Sequence, residues 1–439
     1  MSKKANANLH KAKANKKDEF YTRLGDIENE LKYYKEHFKD KVVYCNCDDP
    51  LASNFFVYFF MNFKHLGLKE LITACYKSMN FKELSKEDSP KKAYAIRIHK
   101  SSGVNPQIHS LKDIEELLEL SLSNGEKQSE KTLKQFEANK HKLEQCFVGL
   151  KPDKIKLETL FEDEEKDNAG DFRSGDCIEL LKEADIVVTN PPFSLFREYV
   201  SQLVEYKKKF VIIGNVNAVS YKEIFSLIKD GKLWLGASIK SGDRKFYVPD
   251  TFPLNAAGCG VEKIMQNGKE VEKKFIRVKG VRWYTNLDYP KRSEILETIY
   301  TYEKYKDKYP KYDNYDAINV DKTNEIPIDY KGVMGVPITF LDKHNPKQFE
   351  IVALGIVGSI DFTCEKKMEI LDKFGKSTGK FTINAKGTLY KKYNPQIDKK
   401  PPAFKDCENG ELYSSIYARI LIRQIATVKE LKKQREEKL

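Results

Sequence analysis

Up to about residue 290, apolar residues in this chain alternate between short continuous runs and stripes at helical spacing. Lys41 to Cys47, Leu68 to Tyr76, Ile186 to Thr189 and Lys209 to Gly214 are runs of the kind that a parallel sheet buries on both faces, and Lys232 to Leu235 is a shorter one. The stripes lie between them. Ile27, Leu31, Tyr34 and Phe38 share one face of a helix over 26–38, and an aromatic helix follows from Ser53 to Phe63, with Ser53 or Asn54 able to cap its start. Leu195 to Tyr206 and Tyr221 to Lys229 complete the set. Strand and helix taking turns predict an α/β domain. Arg244 to Val248 and Phe275 to Trp283 read as late strands at the antiparallel end of its sheet.

Two regions break this rhythm. Residues from about 80 to 165 read as an irregular insertion, with a strand at Ala93 to Ile98, helices at Leu111 to Leu122 and Gly125 to Lys142, and an acidic loop from Glu162 to Asp167 ahead of Gly170-Asp171-Phe172. From Lys291 onward there are 28 Lys plus Arg against 22 Asp plus Glu, a net of +6. Eight tyrosines fall between Tyr284 and Tyr315, where they serve equally as contacts to bases and phosphates or as packing. Strands are expected at Ile351 to Val357 and Phe381 to Ile383, and a closing helix or strand at Tyr413 to Val428. Ten lysines lie between Lys366 and Lys400. Residues 291–439 are therefore expected to form a second, α+β domain for target recognition.

The chain is organised around Asp185-Ile-Val-Val-Thr-Asn190-Pro191-Pro192-Phe193. Its strand must stop at Asn190, because proline cannot donate to a sheet ladder. Ligands of open α/β sheets bind at that carboxyl edge. The residues there suit methylation of a planar amino group, whose lone pair is delocalised into its ring. Attack on a methyl sulfonium requires the nitrogen to be drawn towards tetrahedral geometry. The Asn190 side-chain oxygen and the Pro191 carbonyl are two acceptors for its hydrogens, aimed by a stiff Pro191-Pro192 pair. Phe193 offers a face on which a flat base can stack. As a mere strand-ending loop, such a string arises in roughly one chain in a few hundred of this length.

Composition narrows the classes. At 439 residues the chain has room for two domains, and no apolar run approaches a membrane span or a signal peptide. A cytoplasmic protein without membrane attachment is expected. Eight cysteines and seven histidines show no paired metal spacing, so neither zinc nor disulfides are expected. Cys45 and Cys47, two apart on a strand-like run, should face one side as buried small residues. The net charge of +12 favours a polyanionic partner. Residues 1–17 hold six lysines and no acid, a flexible basic tail able to lie along phosphates.

The run Lys17-Asp-Glu-Phe-Tyr-Thr22, the turn Cys45-Asn-Cys-Asp-Asp-Pro50, Gly170-Asp-Phe-Arg-Ser174 and Asp185 to Phe193, in that order, resemble the EcoRI-type adenine-specific DNA methyltransferases. The likeness continues through Gly280-Val-Arg-Trp-Tyr-Thr-Asn-Leu-Asp288 and, more weakly, beyond it. It implies a Rossmann-like class I methyltransferase sheet with helices on both faces, spanning 18–290. The implied reaction is methyl transfer from S-adenosylmethionine to N6 of an adenine flipped out of double-stranded DNA. Asn190, Pro191, Pro192 and Phe193 match the catalytic loop. Phe20, Tyr21 and Thr22 match the segment near the cofactor's amino-acid end, and Asp171 and Phe172 the acid and ring at its adenine. Asp48 and Asp49 occupy the first strand's turn. That turn lacks a glycine run and the second strand ends in Cys75-Tyr76 without an acid, so Asp48 or Asp49 stands in for the ribose contact. Phe246 or Tyr247 is the candidate second ring against the target base.

The resemblance further implies a monomer, the modification half of a restriction-modification system with a separate endonuclease, and a short palindrome such as GAATTC. An RNA adenine or protein glutamine methyltransferase shares the same catalytic logic, but the latter needs neither a basic second domain nor a lysine tail. A fused nuclease would need clustered carboxylates for magnesium, and Glu162 to Asp167 reads instead as a solvated loop. Deleting residues 1–17 should weaken DNA binding most at low salt and flatten its salt dependence; an unchanged slope in a salt titration would reduce the tail to a solvated extension.

Overall fold

The first continuous apolar runs become the centre of a sheet, as their burial on both faces requires. The computed structural model describes residues 20–47, 53–75, 93–99, 155–160, 163, 169–240, 242–248, 254, 258–266 and 269–437. Its strands run β1 (Val42–Cys45), β2 (Glu70–Cys75), β3 (Ala93–His99), β4 (Ile155–Leu160), β5 (Ile186–Thr189), β6 (Lys209–Asn215), β7 (Trp234–Leu235), β8 (Asp243–Tyr247), β9 (Gly260–Gln266), β10 (Lys269–Lys279) and β11 (Val281–Thr285). An eight-stranded sheet takes the order β4-β3-β2-β1-β5-β6-β11-β7. Strands β2, β1, β5 and β6 are parallel, with Val43 opposite both Leu71 and Ile186 and Thr189 opposite Ile212. Every residue of β1 and β5 is buried. This is a mixed α/β architecture.

Helix α1 (Leu24–Leu31) precedes β1, helices α2 (Asn54–Met61), α3 (Gly175–Glu183) and α4 (Phe196–Glu205) connect successive strands, and α5 (Lys222–Lys229) follows β6. Ser53 caps α2 by accepting from Phe55 N and Phe56 N, satisfying donors that a helix start leaves open. The helix expected over 26–38 is α1 followed by a 3₁₀ turn at Lys35–Phe38. Its stripe survives, since Ile27, Leu31, Tyr34 and Phe38 are all fully buried.

Several expectations change. Within the stretch read as an insertion, β3 and β4 continue the main sheet antiparallel, and Arg97 ties β3 to Glu70 of β2 at 2.9 Å. The helices expected at 111–122 and 125–142 lie outside the described residues. The single strand expected over 275–283 is two, because Gly280 takes φ +72°, a left-handed turn that suits glycine. Strand β11 pairs antiparallel with β6, whereas β10 joins β8 and β9 in a separate three-stranded sheet. Strand β1 stops at Cys45 and Cys47 has φ +68°, so the alternation that would place both cysteines on one side does not reach Cys47.

The chain divides into two compact units, 1–218 with 235–288, and 219–234 with 289–439. The second unit contains β12 (Ile318–Asn319), β13 (Met334–Val336), β14 (Phe349–Leu354), β15 (Lys367–Leu371), β16 (Ser377–Ile383), β17 (Tyr390–Lys392), β18 (Phe404–Asp406), β19 (Leu412–Ser415), β20 (Ile420–Gln424) and α6 (Val428–Glu436). They form a four-stranded sheet, β12-β13-β20-β14, and a five-stranded one, β16-β15-β18-β19-β17. The closing helix or strand expected over 413–428 is thus two strands, with the helix after them.

One buried charge anchors α1. Glu30 is fully buried and accepts from Ala237 N at 2.8 Å, Ser238 N at 2.7 Å and Tyr34 Oη at 2.7 Å. A β-carbon at Gly236 would collide with its carboxylate and with Trp283 Cβ, so only glycine lets the backbone approach it. Glu30→Ala strands three buried donors and should lower unfolding free energy by about 3–5 kcal/mol in urea denaturation, with Glu30→Gln, which keeps one acceptor, intermediate.

Candidate active site

Strand order reverses between β1 and β5. From β1 the chain passes through α2 to β2 on one side, and from β5 through α4 to β6 on the other. Such a reversal opens a crevice beyond the carboxyl ends of the two strands. Asn46 follows β1 and is 2% exposed; Asn190 follows β5 and is 8% exposed. Asn46 joins the two ends, since Thr189 Oγ1 donates to its carbonyl and Tyr199 Oη of α4 to its Oδ1. Neither Asn46 nor Tyr199 stood out in the sequence. The available signal was a polar residue directly ending a buried strand, which must find partners.

Asn190 has a defined orientation. Its Nδ2 donates to the Phe20 carbonyl at 2.6 Å. Because a carbonyl only accepts, the amide nitrogen must face Phe20 and the oxygen must face away. That Oδ1 is buried with no hydrogen-bond partner among the described residues. The Pro192 carbonyl accepts from Leu195 N at 3.0 Å and starts the 3₁₀ turn Phe193–Leu195, leaving the Pro191 carbonyl without a partner among the described residues. Two acceptors therefore stand at adjacent positions.

Aromatic rings gather beside them. Phe20 lies 6.0 Å from Phe193 and 6.1 Å from Phe246 between ring centres, and Phe193 meets Phe246 edge-on at 6.4 Å. The segment carrying Phe20 is pinned to β8 by a two-bond bridge, Tyr21 N to Tyr247 O at 2.9 Å and Tyr247 N to Tyr21 O at 3.1 Å. Asn54 at the start of α2 donates to the Thr22 carbonyl at 2.6 Å. Thr22 Oγ1 is buried and unpartnered among the described residues. Phe246 and Tyr247 point to opposite faces of β8, so Phe246 belongs to the ring cluster and Tyr247 does not. Burial and Glu262 push the Tyr247 phenol up, while a hydrogen bond from Lys245 holds Glu262 below its ordinary range.

Asp171 and Phe172 form a turn of their own. Asp171 accepts from Arg173 N at 2.9 Å, Nε at 2.8 Å and Nη2 at 2.8 Å, hydrogen bonds that hold the guanidinium charged. Ser174 Oγ donates to the Asp171 carbonyl at 2.8 Å and caps α3. Phe172 is 3% exposed, its ring 5.0 Å from Tyr199, and its carbonyl accepts from Gln202 Nε2 at 3.0 Å. Through Tyr199 this turn reaches Asn46. Asp48 and Asp49 lie outside the described residues. Among the described residues, no cluster of three or more His, Cys, Asp or Glu is arranged to hold a metal ion.

Residues 8–425 match the family model described as adenine-specific methyltransferase EcoRI. The chain belongs to that family. It is an adenine-specific methyltransferase. It is similar to the type II methyltransferase M.EcoRI of Escherichia coli, 46% identical over 78% of this chain and 88% of the relative. It is also similar to M.MgeORF184P of Mycoplasma genitalium, 35% identical over 78% of this chain and 85% of the relative, and to M.MpnI of Mycoplasma pneumoniae, 34% identical over 78% and 84%. No solved structure matches the chain at a significant level.

For an adenine-specific methyltransferase of this family, the Asn46 junction sets how firmly the two strand ends are held. Tyr199→Phe removes the donor to Asn46 Oδ1 and should cost about 1–2 kcal/mol in urea denaturation, together with a lower methyl-transfer rate. An unchanged midpoint and rate would show that the junction does not order the site.

Proposed function

We propose that this methyltransferase moves the methyl group of S-adenosylmethionine to N6 of an adenine turned out of duplex DNA, as the modification half of a restriction-modification system. The observation that carries the reading is the clamped amide of Asn190, with its oxygen and the Pro191 carbonyl both unpartnered among the described residues, beside Phe193. An exocyclic amino group has two hydrogens, and two acceptors fixed on one rigid turn draw both away from the ring plane. The nitrogen lone pair then regains directionality, and a positioned acceptor of this kind is worth roughly 10²–10³ in rate. Phe193 stacks the base, with buried Phe246 supporting the ring cluster from β8 and Tyr247 holding Tyr21 by its backbone. No charged base is required, because an alkylated amino nitrogen readily loses its proton.

Bound S-adenosylmethionine supplies an electrophilic methyl on a sulfonium. The residues present suit it: the crevice lies at a strand-order reversal, and Thr22 offers a buried hydroxyl without a partner among the described residues. Phe20, Tyr21 and Thr22 would hold its amino-acid end, Asp171 and Phe172 its adenine, and Asp48 or Asp49 its ribose. The parallel β2-β1-β5-β6 core with antiparallel β11 beyond it supports a Rossmann-like class I sheet. Residues 291–439, with a net charge of +6, serve as the target-recognition domain. That charge favours nucleic acid over a protein glutamine, and the 46% identity to M.EcoRI favours duplex DNA, with GAATTC as the first site to try. The protein is read as a cytoplasmic monomer acting apart from its cognate endonuclease.

The test is transfer of labelled methyl from S-adenosylmethionine to unmethylated duplex DNA, followed by digestion to nucleosides. Label should appear in N6-methyladenine; label in RNA or protein supplied in parallel, with none in DNA, would overturn the substrate assignment. Asn190→Ala should lower turnover about 10²–10³-fold and leave cofactor affinity nearly unchanged. Equal loss of both would make Asn190 a cofactor or folding residue.

A further inference from the structure

Residues 373–386 carry four lysines, Lys373, Lys376, Lys380 and Lys386, and no carboxylate. The first three lie on the tip and outer strand of the β15–β16 hairpin, and β16 is an edge of its sheet. Three other lysines of the same unit are neutralised: Lys366 pairs with Asp313 at 2.7 Å, Lys391 with Asp398 at 2.6 Å and Lys392 with Glu411 at 2.6 Å. Among the described residues, none of the four from 373–386 forms an ion pair.

The tip is ordered from within. Asp372 Oδ1 accepts from Phe374 N at 2.8 Å and Lys376 N at 2.9 Å, Asp372 N donates to Lys376 O at 2.8 Å, and Gly375 turns the chain at φ +78°. The backbone donors of Lys376 and Phe374 hold the Asp372 carboxyl below its usual range, so its charge is committed to the turn. Phe374 stands out from this base at 68% exposure, with Lys373 Nζ 4.8 Å from its ring centre. Pairing register puts Phe381 opposite Glu369 and Ile383 opposite Lys367 on the outer face, while Met368 on the inner face is buried. Phe381 and Ile383 are 57% and 58% exposed.

An apolar edge strand left open is a template for another molecule. Unneutralised lysines repel a second copy of the same hairpin and attract a polyanion. A two-stranded ribbon also matches the width of the DNA major groove, where thymine methyl groups are the apolar feature. We propose that the β15–β16 hairpin enters the major groove of duplex DNA, with Lys373, Lys376 and Lys380 on flanking phosphates and Phe374 against thymine methyls. This rests on the reading of the chain as a DNA methyltransferase.

The test uses the full-length protein and a duplex that the wild type methylates, made with thymine or with deoxyuridine in its place. Wild-type transfer to N6 of adenine is measured first; its absence would remove the DNA reading and the hairpin's role with it. Given transfer, the combined Lys373→Gln, Lys376→Gln and Lys380→Gln variant should flatten the log–log salt dependence of binding by about 2–3. The wild type should bind the deoxyuridine duplex about fourfold more weakly per methyl lost from the contact, while Phe374→Ala should bind both duplexes alike. An unchanged salt slope, together with a Phe374→Ala variant that keeps the wild-type preference for thymine, would overturn the proposal and leave the DNA reading standing. A self-associated wild type, by sedimentation velocity, that Phe374→Ala disperses while the lysine variant leaves DNA binding unchanged would assign the edge to a second copy instead. All substitutions are at exposed positions, and an unchanged S-adenosylmethionine affinity reports that the catalytic unit is intact.

Discussion

A backbone carbonyl can accept a hydrogen bond and cannot donate one, and the candidate site depends on that asymmetry at Phe20. Opposite this oxygen the Asn190 amide has one orientation, nitrogen towards Phe20 and oxygen away. The orientation would be weak if Phe20 belonged to a loose segment. It does not, because Tyr21 is bonded in both directions to Tyr247 and the Thr22 carbonyl is held by Asn54. Three stretches distant in sequence thus cooperate to aim one side-chain oxygen, and the proline pair aims the neighbouring carbonyl.

Behind the site the same logic recurs with buried groups that demand partners. Asn46 receives one bond from β5 and one from α4, and the Asp171 turn reaches it through Phe172 and Tyr199. Glu30 does the corresponding work for α1, receiving two backbone N–H groups from the chain after β7. A buried polar group left unmatched costs about 1–3 kcal/mol, more if charged, so these junctions tolerate few alternative arrangements. The rigidity that positions Asn190 comes from such matched pairs as much as from apolar packing.

What could be read from the sequence follows the range of the forces involved. The β5 run and its stop are local, fixed by four β-favouring residues and two prolines, and Asn190, Pro191 and Phe193 could be singled out with no knowledge of the rest. The partner of Asn190 is 170 residues away. No local pattern reports that Phe20 O faces it. Glu30 lies next to the apolar stripe of α1 and, as an acid, would ordinarily be assigned to solvent; its acceptors are used by groups 207 and 208 residues distant. Strand β9 was invisible for a different reason, since Glu262 and Lys263 interrupt its apolar positions and the strand is recognisable only once β10 pairs along it. The break at Gly280 was missed because apolar residues on both sides simulate one continuous run.

Charge shows the same limit in the second unit. A count of lysines treats Lys366, Lys391 and Lys376 alike, yet the first two have carboxylate partners and the third has none among the described residues. Lys366 is half-buried and Lys391 buried, and their charge helps to hold the five-stranded sheet and its connections together. Those on the β15–β16 hairpin do not serve that end, because Asp372 is engaged by the turn's own N–H groups and Glu369 accepts from Ser377 Oγ. Their charge is left facing solvent beside exposed Phe374 and Phe381. A fold that neutralises its inner lysines and leaves a rigid edge both cationic and apolar has separated the charge that holds it together from the charge available to a partner.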